Sequence, residues 1–301
     1  MSKGADQGRL LVVGNVTEDL SFQVPYLPNP GETLISDVQS SELGGKGLNQ
    51  AVIAARCGVA VSLVAPLGHD PVAEKARALA DSENLDANFA HIVGRTDQSV
   101  ISVSQSGENT IISSALAADS LDPATVVSSV ARFGAGDALL VQGNLSLETT
   151  RAVLTAACDR GVTTYANLSP IRWDWEGLCP LVGTAIVNRF ELATLSSLDG
   201  TEDGLKALLD AGCSRVLVTL GADGAILVDG VKRWDQPAIN GQVVDTAGAG
   251  DTFCGVFVAR EILGDGPKRA LLRAAENAAI TVSCHGTLSA FPDSARLVAY
   301  Q

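Results

Sequence analysis

The chain has 301 residues, enough for one large α/β domain or two small ones around a sizeable buried core. Its residues are 46% hydrophobic but only 4% aromatic, which points to Ala, Val and Leu packed between helices and a parallel sheet. A formal net charge of −13 argues against nucleic acid or an anionic membrane surface as a main partner. An anionic nucleotide stays compatible with it, because one helix end and one metal ion can dominate locally.

Met1 to Gly8 reads as a polar leader and not a signal peptide, and no apolar run reaches membrane-spanning length. Six cysteines (Cys57, Cys158, Cys179, Cys213, Cys254, Cys284) show no CxxC spacing and mostly lie in apolar or helical contexts. They are expected to be reduced thiols in the core of a cytoplasmic protein. With only His69, His91 and His285, a histidine metal site or a Ser/His triad is poorly supplied.

Arg9 to Gly14 is an apolar, β-branched run ending in glycine, a buried first strand. Asn15 to Asp19 follows as a loop at its end, where ligands gather in open parallel sheets. Asp19 is therefore either an acceptor for a substrate hydroxyl or a loop acid capping a turn. Leu20 to Leu43 has several prolines and short alternating pieces such as Glu32 to Val38. Gln98 to Ser114 has two alternating arms about Ser106-Gly107-Glu108-Asn109, a hairpin signal. The two excursions, about 20–43 and 97–116, are expected to pair as a small β lid that excludes water.

Between them, Gly44-Gly45-Lys46-Gly47 leads into a small-residue helix that Gly58 stops. It lacks the GxxxxGK[ST] form of a Walker A loop; Lys46 and Asn49 can instead reach hydroxyls. A plain glycine-rich turn into a helix is the alternative. Strands are then expected over Val61–Ala65, Ala138–Gln142, Val162–Asn167, Ala185–Val187 and Arg215–Leu220, with a hairpin through Asp229-Gly230. Helices are expected over Pro71–Ser82, Leu147–Arg160, Arg189–Ser196, Thr201–Ala211 and Pro267–Cys284. Trp173 and Trp175 are expected to cover an apolar edge. No repeat or linker interrupts residues 1–301, which are read as one domain with a lid.

Val243 to Val258, VVDTAGAGDTFCGVFV, is expected to run from a short strand through a glycine turn into an apolar helix beginning at Asp251. Glycines at 248 and 250 gather backbone N–H groups, and the helix adds its unsatisfied first-turn donors. An anion site beside the Asp251 carboxylate suits a phosphoryl group in transit, with Asp251 as base for the attacking hydroxyl. Seen alone, Asp251 reads first as a helix N-cap, for which Asp is a favoured residue. In Asn188-Arg189-Phe190-Glu191, the amide and the carboxylate share a helix face and could jointly hold a hydrated Mg²⁺.

Taken together, these segments resemble the ribokinase-like (PfkB) family of carbohydrate kinases over almost the whole length. GGKGLNQAV at 44–52 is similar to the family's N-terminal signature, in the form typical of ribokinases. VDTAGAGDTFCG at 244–255 is similar to its C-terminal signature, NRFE at 188–191 to its NxxE motif, and TLGADG at 219–224 to its TLGxxG segment. The resemblance implies a central, mostly parallel sheet with helices on both faces and a β lid that also forms a homodimer interface. It implies ATP-dependent phosphorylation of an alcohol group of a sugar, ribose or a related pentose, with a nucleoside or pseudouridine kinase as the alternative. A non-catalytic sugar or nucleotide sensor on the same fold is a more distant alternative.

By the same resemblance, Asp251 would be the base and Gly248, Ala249 and Gly250 the anion hole. Asp19, Gly44, Gly45, Lys46, Asn49 and Asn144 would hold the sugar. Asn188, Thr219, Gly221, Gly224 and Asn277 would lie along the nucleotide, with Asn188 and Glu191 organising Mg²⁺ through water. Asp245 and the carbonyl of Ala247 match part of a monovalent-cation (K⁺) site. Thr17 and Asn144 stand where ribokinases carry an asparagine and a glutamate toward the sugar. Ser283-Cys284-His285-Gly286 and Ala290 depart from the pattern at the tail of the cation site.

Overall fold

The computed structural model describes residues 7–36, 38–105 and 109–298. Residues 1–6, with most of the expected leader, and 106–108, most of the expected hairpin turn, lie outside the described residues.

Among the described residues, thirteen strands run in chain order as β1 Leu10–Val13, β2 Thr17–Val24, β3 Val38–Gly44, β4 Val61–Leu67, β5 Asp86–His91, β6 Asp97–Ser104, β7 Asn109–Ser113, β8 Ala138–Gln142, β9 Thr163–Asn167, β10 Thr184–Asn188, β11 Arg215–Thr219, β12 Ala225–Val228 and β13 Arg233–Gln236. Nine of them form one sheet in the order β13-β12-β11-β10-β9-β8-β1-β4-β5. It is parallel from β5 to β11 and antiparallel only through the hairpin β12–β13. The other four, β3-β2-β6-β7, form a small separate sheet.

Alternation along the central strands explains the layers. Leu10 and Val12 of β1 join one core cluster, Leu11 and Val13 the other. Helices Lys46–Arg56, Pro71–Ser82, Ala249–Ile262 and Gly266–Thr281 supply the first layer, through residues such as Ile53, Ala76, Phe257 and Leu271. Helices Pro123–Val130, Leu147–Asp159, Arg189–Ser196 and Thr201–Asp210 supply the second, through Val126, Leu154, Leu192 and Leu205. A sheet covered on both faces needs continuous apolar strands, and β4 and β8 are buried at every residue.

Several expectations change. Val243 and Val244 form no strand: the segment is an exposed loop whose Val244 and Asp245 N–H groups both donate to Val282 O, at 2.7 and 3.1 Å. Asp19 is not in a loop, since β2 begins at Thr17. Of the described residues in 32–38, only Val38 enters a strand; residue 37 lies outside the described residues. Strand β5 and the helices Leu116–Asp119 and Pro123–Val130 had no clear sequence signal. Trp175 is a core residue and not an edge cover, with the half-buried Trp173 ring 4.2 Å from its own. Cys158 and Cys284 are exposed; the other four cysteines are buried, and all six are free thiols. Among the described residues, no helix is long and apolar enough to cross a membrane.

Candidate active site

The helix Ala249–Ile262 is buried on every side from Asp251 to Arg260, as its nearly uniform apolar sequence requires. Its N-cap is Gly248, at φ +73°, a left-handed conformation that disfavours any side chain. A Cβ at Gly248 would also stand 2.7 Å from Phe291 Cε1. Asp251 is thus the third residue of the helix. The N-cap alternative for Asp251 is overturned, because its side chain turns away from its own helix to another.

That other helix is Lys46–Arg56. The two approach closely at Gly255, where a Cβ would lie 2.7 Å from Ile53 Cγ2 and 3.1 Å from Gln50 O. The approach brings Asn49 Nδ2 to donate to Asp251 Oδ2 at 2.8 Å and Gln50 Nε2 to donate to Asp251 Oδ1 at 2.9 Å. Lys46 Nζ stands 3.9 Å from Oδ1. Asp251 is only 7% exposed, so these contacts act with little competition from water. Asn49 Oδ1 is buried with no hydrogen-bond partner among the described residues, an acceptor that a hydroxyl would satisfy.

Asp19 reaches this cluster from the small sheet. Along β2, Thr17 and Asp19 point to one face and Leu20 to the other. Thr17 Oγ1 donates to Asp19 Oδ1 at 2.7 Å, and the carboxylate lies so near Gly44 that a Cβ there would fall 2.0 Å from Oδ2. Burial pushes the Asp19 carboxyl above its ordinary range. The charges of Asp251 and Glu42 push the same way, against hydrogen bonds from Thr17 and Ser99. Gly45, at φ +96°, is the N-cap of the helix that carries Lys46 and Asn49, so GGKG is both a glycine turn and a wall of the site. Glu42 of β3 accepts from Thr287 N–H at 3.2 Å and from Ser289 Oγ at 2.8 Å, which ties the small sheet to the loop after Thr281.

The first-turn N–H groups of the helix Ala249–Ile262 open beside Asp251. A Cβ at Gly250 would meet nothing within 4 Å. No protein atom therefore requires glycine there, and the space above it is open to a ligand.

A second row lies along the same rim. Asn188 and Thr219 are register partners at the ends of β10 and β11. Asn188 and Glu191 form a capping box: Asn188 Oδ1 accepts from Glu191 N–H, and Glu191 Oε2 from Asn188 N–H, both at 2.8 Å. Gly221 and Gly224 flank a single 3-10 turn, and a Cβ at Gly224 would collide with Gln236 O at 2.0 Å. Asn277 is buried in the helix Gly266–Thr281, with Nδ2 donating to Arg273 O at 2.9 Å and Oδ1 unpartnered among the described residues. Asp245 accepts from Ala247 N–H at 2.9 Å and Gly286 N–H at 3.2 Å, joining the glycine turn to the tail loop.

Asn144 lies just past β8; its backbone carbonyl accepts from Arg172 Nη1 at 2.6 Å, while its side-chain Oδ1 is buried with no hydrogen-bond partner among the described residues. Sequence reasoning missed Gln50. It sits inside GGKGLNQ, but nothing in the spacing tells that two consecutive helix residues both reach one carboxylate.

A doubly covered parallel sheet, with an acid at a helix N-terminus facing a second small sheet, is the ribokinase-like α/β arrangement. Residues 7–294 match the model of the pfkB family carbohydrate kinases, and the chain belongs to that family. It is a sugar kinase. The ribokinase of Haemophilus influenzae is 30% identical over 293 residues, covering 94% of this chain and 95% of that protein. The crystal structure of a ribokinase from Thermotoga maritima superposes with a TM-score of 0.87 at 25% identity, over 97% of this chain and 98% of its own. The ribokinase of Arabidopsis thaliana complexed with ribose and ATP gives 0.84 at 26% identity, again over 97% and 98%.

Proposed function

We propose that the protein transfers the γ-phosphoryl group of ATP to an alcohol group of ribose or a related pentose. The observation that carries this is the Asp251 carboxylate, fixed by Asn49 and Gln50 beside the first turn of the helix Ala249–Ile262. On this reading Asp251 takes the proton of the acceptor hydroxyl as its oxygen bonds to phosphorus and the bond to ADP breaks. The N–H groups of Gly248, Ala249 and Gly250 receive the charge on the transferring group.

Asp19, Gly44, Gly45, Lys46, Asn49 and Asn144 hold the sugar in this account. The buried Asp19 carboxyl, bonded by Thr17 Oγ1 through Oδ1, and the unpartnered Asn49 Oδ1 support it as acceptors for sugar hydroxyls. Asn188, Thr219, Gly221, Gly224 and Asn277 lie along the nucleotide. The capping box uses one oxygen of each side chain, leaving Glu191 Oε1 for a water of a Mg²⁺ shell, which fits an ion held mainly by phosphates and waters. Bound there, Mg²⁺ would neutralise phosphate charge. Asp245 and the Ala247 carbonyl fit one side of a K⁺ site. In the small sheet, Leu20, Val100 and Ile112 are in register on the face away from Asp19, and Val100 and Ile112 are exposed. That apolar stripe supports a homodimer through the lid. Six free thiols suit a reducing, cytoplasmic setting.

The test is an ADP-release assay with ATP and Mg²⁺ over free pentoses, other sugars and nucleosides, with and without K⁺. Preference for ribose or another pentose is expected. A nucleoside turned over far above every free sugar would overturn the acceptor assignment.

A further inference from the structure

Both oxygens of Asp251 accept from side-chain amides, and the two amides differ in what stands behind them. Asn49 ends in an unpartnered oxygen facing the site, whereas Gln50 is fully buried and backed by a chain of further amides. Gln50 Oε1 accepts from Gln142 Nε2 at 2.9 Å, and Gln50 Nε2 also lies 3.3 Å from Asn167 Oδ1. Asn167 Nδ2 in turn donates to Ile186 O at 3.1 Å. Gln142 and Asn167 are register partners at the ends of β8 and β9. The chain therefore runs from the rim of the central sheet to the carboxylate.

Its direction is set by chemistry. An ionised carboxylate only accepts, so Gln50 must present its nitrogen to Asp251. Its oxygen then faces Gln142, which must present its own nitrogen. The backbone leaves room for this: a Cβ on Gly14 would stand 2.2 Å from Gln142 Oε1. Lys46 Nζ, 3.9 Å from the same Oδ1 that Gln50 holds, is the competitor. A carboxylate released from Gln50 can turn to pair closely with that ammonium, which would occupy the oxygen needed for the acceptor proton.

We infer that Gln50, held by Gln142 and Asn167, is a positioning residue that fixes the rotation of Asp251 and keeps it out of close pairing with Lys46. The inference rests on Asp251 as the base.

The test is Gln50→Met, which keeps the length and removes the donor. Expected is a kcat about 10²-fold lower, the cost of a misplaced reacting group, with sugar Kd and ATP KM unchanged. Gln142→Met, which does not touch Asp251, should lower kcat in the same way but less. Added to Asp251→Asn, Gln50→Met should cause no further loss in kcat, because no carboxylate is left to orient. A purely structural role would instead add its loss in that background. A folded, sugar-binding Gln50→Met with kcat near wild type would overturn the inference; if that variant does not fold, a near-wild-type Gln142→Met overturns it. Should Asp251→Asn itself keep turnover, the base assignment fails separately.

Discussion

Gly248 and Gly250 stand two residues apart in one turn, and the structure assigns them opposite reasons for being glycine. At Gly248 the backbone is left-handed, at φ +73°, and a Cβ would meet Phe291 Cε1 at 2.7 Å and Thr287 Cγ2 at 3.1 Å. Gly248→Ala combines about 1 kcal/mol or more for the left-handed conformation with about 1–3 kcal/mol for overpacking. A stability loss of about 2–4 kcal/mol is the expected sum. At Gly250 the backbone is helical and a Cβ meets nothing within 4 Å. Gly250→Ala should leave stability unchanged or raise it by up to about 1 kcal/mol, through lost freedom in the unfolded chain. Helical Cβ atoms tilt toward the helix N-terminus, so the added methyl projects into the space proposed to receive the phosphoryl group. Its effect belongs in turnover, a loss of about 10²-fold from a misplaced donor cluster. Denaturant melts of both variants, paired with ADP release, separate the two. A stable but wild-type-active Gly250→Ala would refute the anion-hole role, and an undiminished Gly248→Ala would refute the steric argument.

Asp19→Asn should weaken sugar binding while stabilising the folded protein near neutral pH. Burial, helped by Asp251 and Glu42, raises the Asp19 carboxyl, so the folded state binds more protons than the unfolded one just above the ordinary carboxylate range. Stability from this group therefore falls as pH rises through that window; the advantage of the variant should disappear below it, which melts at pH 4 and pH 7 would check. Far from the site, Glu261 accepts from Arg215 Nη1 at 2.9 Å and from Tyr165 Oη at 3.0 Å. Removing its charge with Glu261→Gln leaves Arg215 half-buried and unpaired by a carboxylate, and should cost about 3 kcal/mol in denaturant unfolding. Turnover per folded molecule should not change.

The alternating strand and helix pattern was legible because the parallel core is written in apolar runs: Ala138–Gln142, Pro71–Ser82 and Arg189–Ser196 fall where the sequence places them. The failures have physical reasons. The Val243–Val244 pair has β-type residues but forms no strand, and the N–H groups of Val244 and Asp245 go to one carbonyl, Val282 O, at the end of a helix. Strand β5 lies at the sheet edge with Asp86, Asn88 and His91 exposed and no residue fully buried, so its sequence carries little apolar signal. Asp19, Lys46, Asn49 and Asp251 were all readable as candidates, and the structure groups them. The orientation of Asp251 was not readable, because it depends on Gln50, Gln142 and Asn167 meeting across 117 residues of sequence.

The most direct test of the account is kcat and sugar affinity of Asp251→Asn, measured with the best acceptor by ADP release and calorimetry. Loss of a positioned base predicts a fall in kcat of about 10²–10⁴-fold with sugar binding largely retained. Turnover near the wild-type rate in that variant would contradict Asp251 as the base.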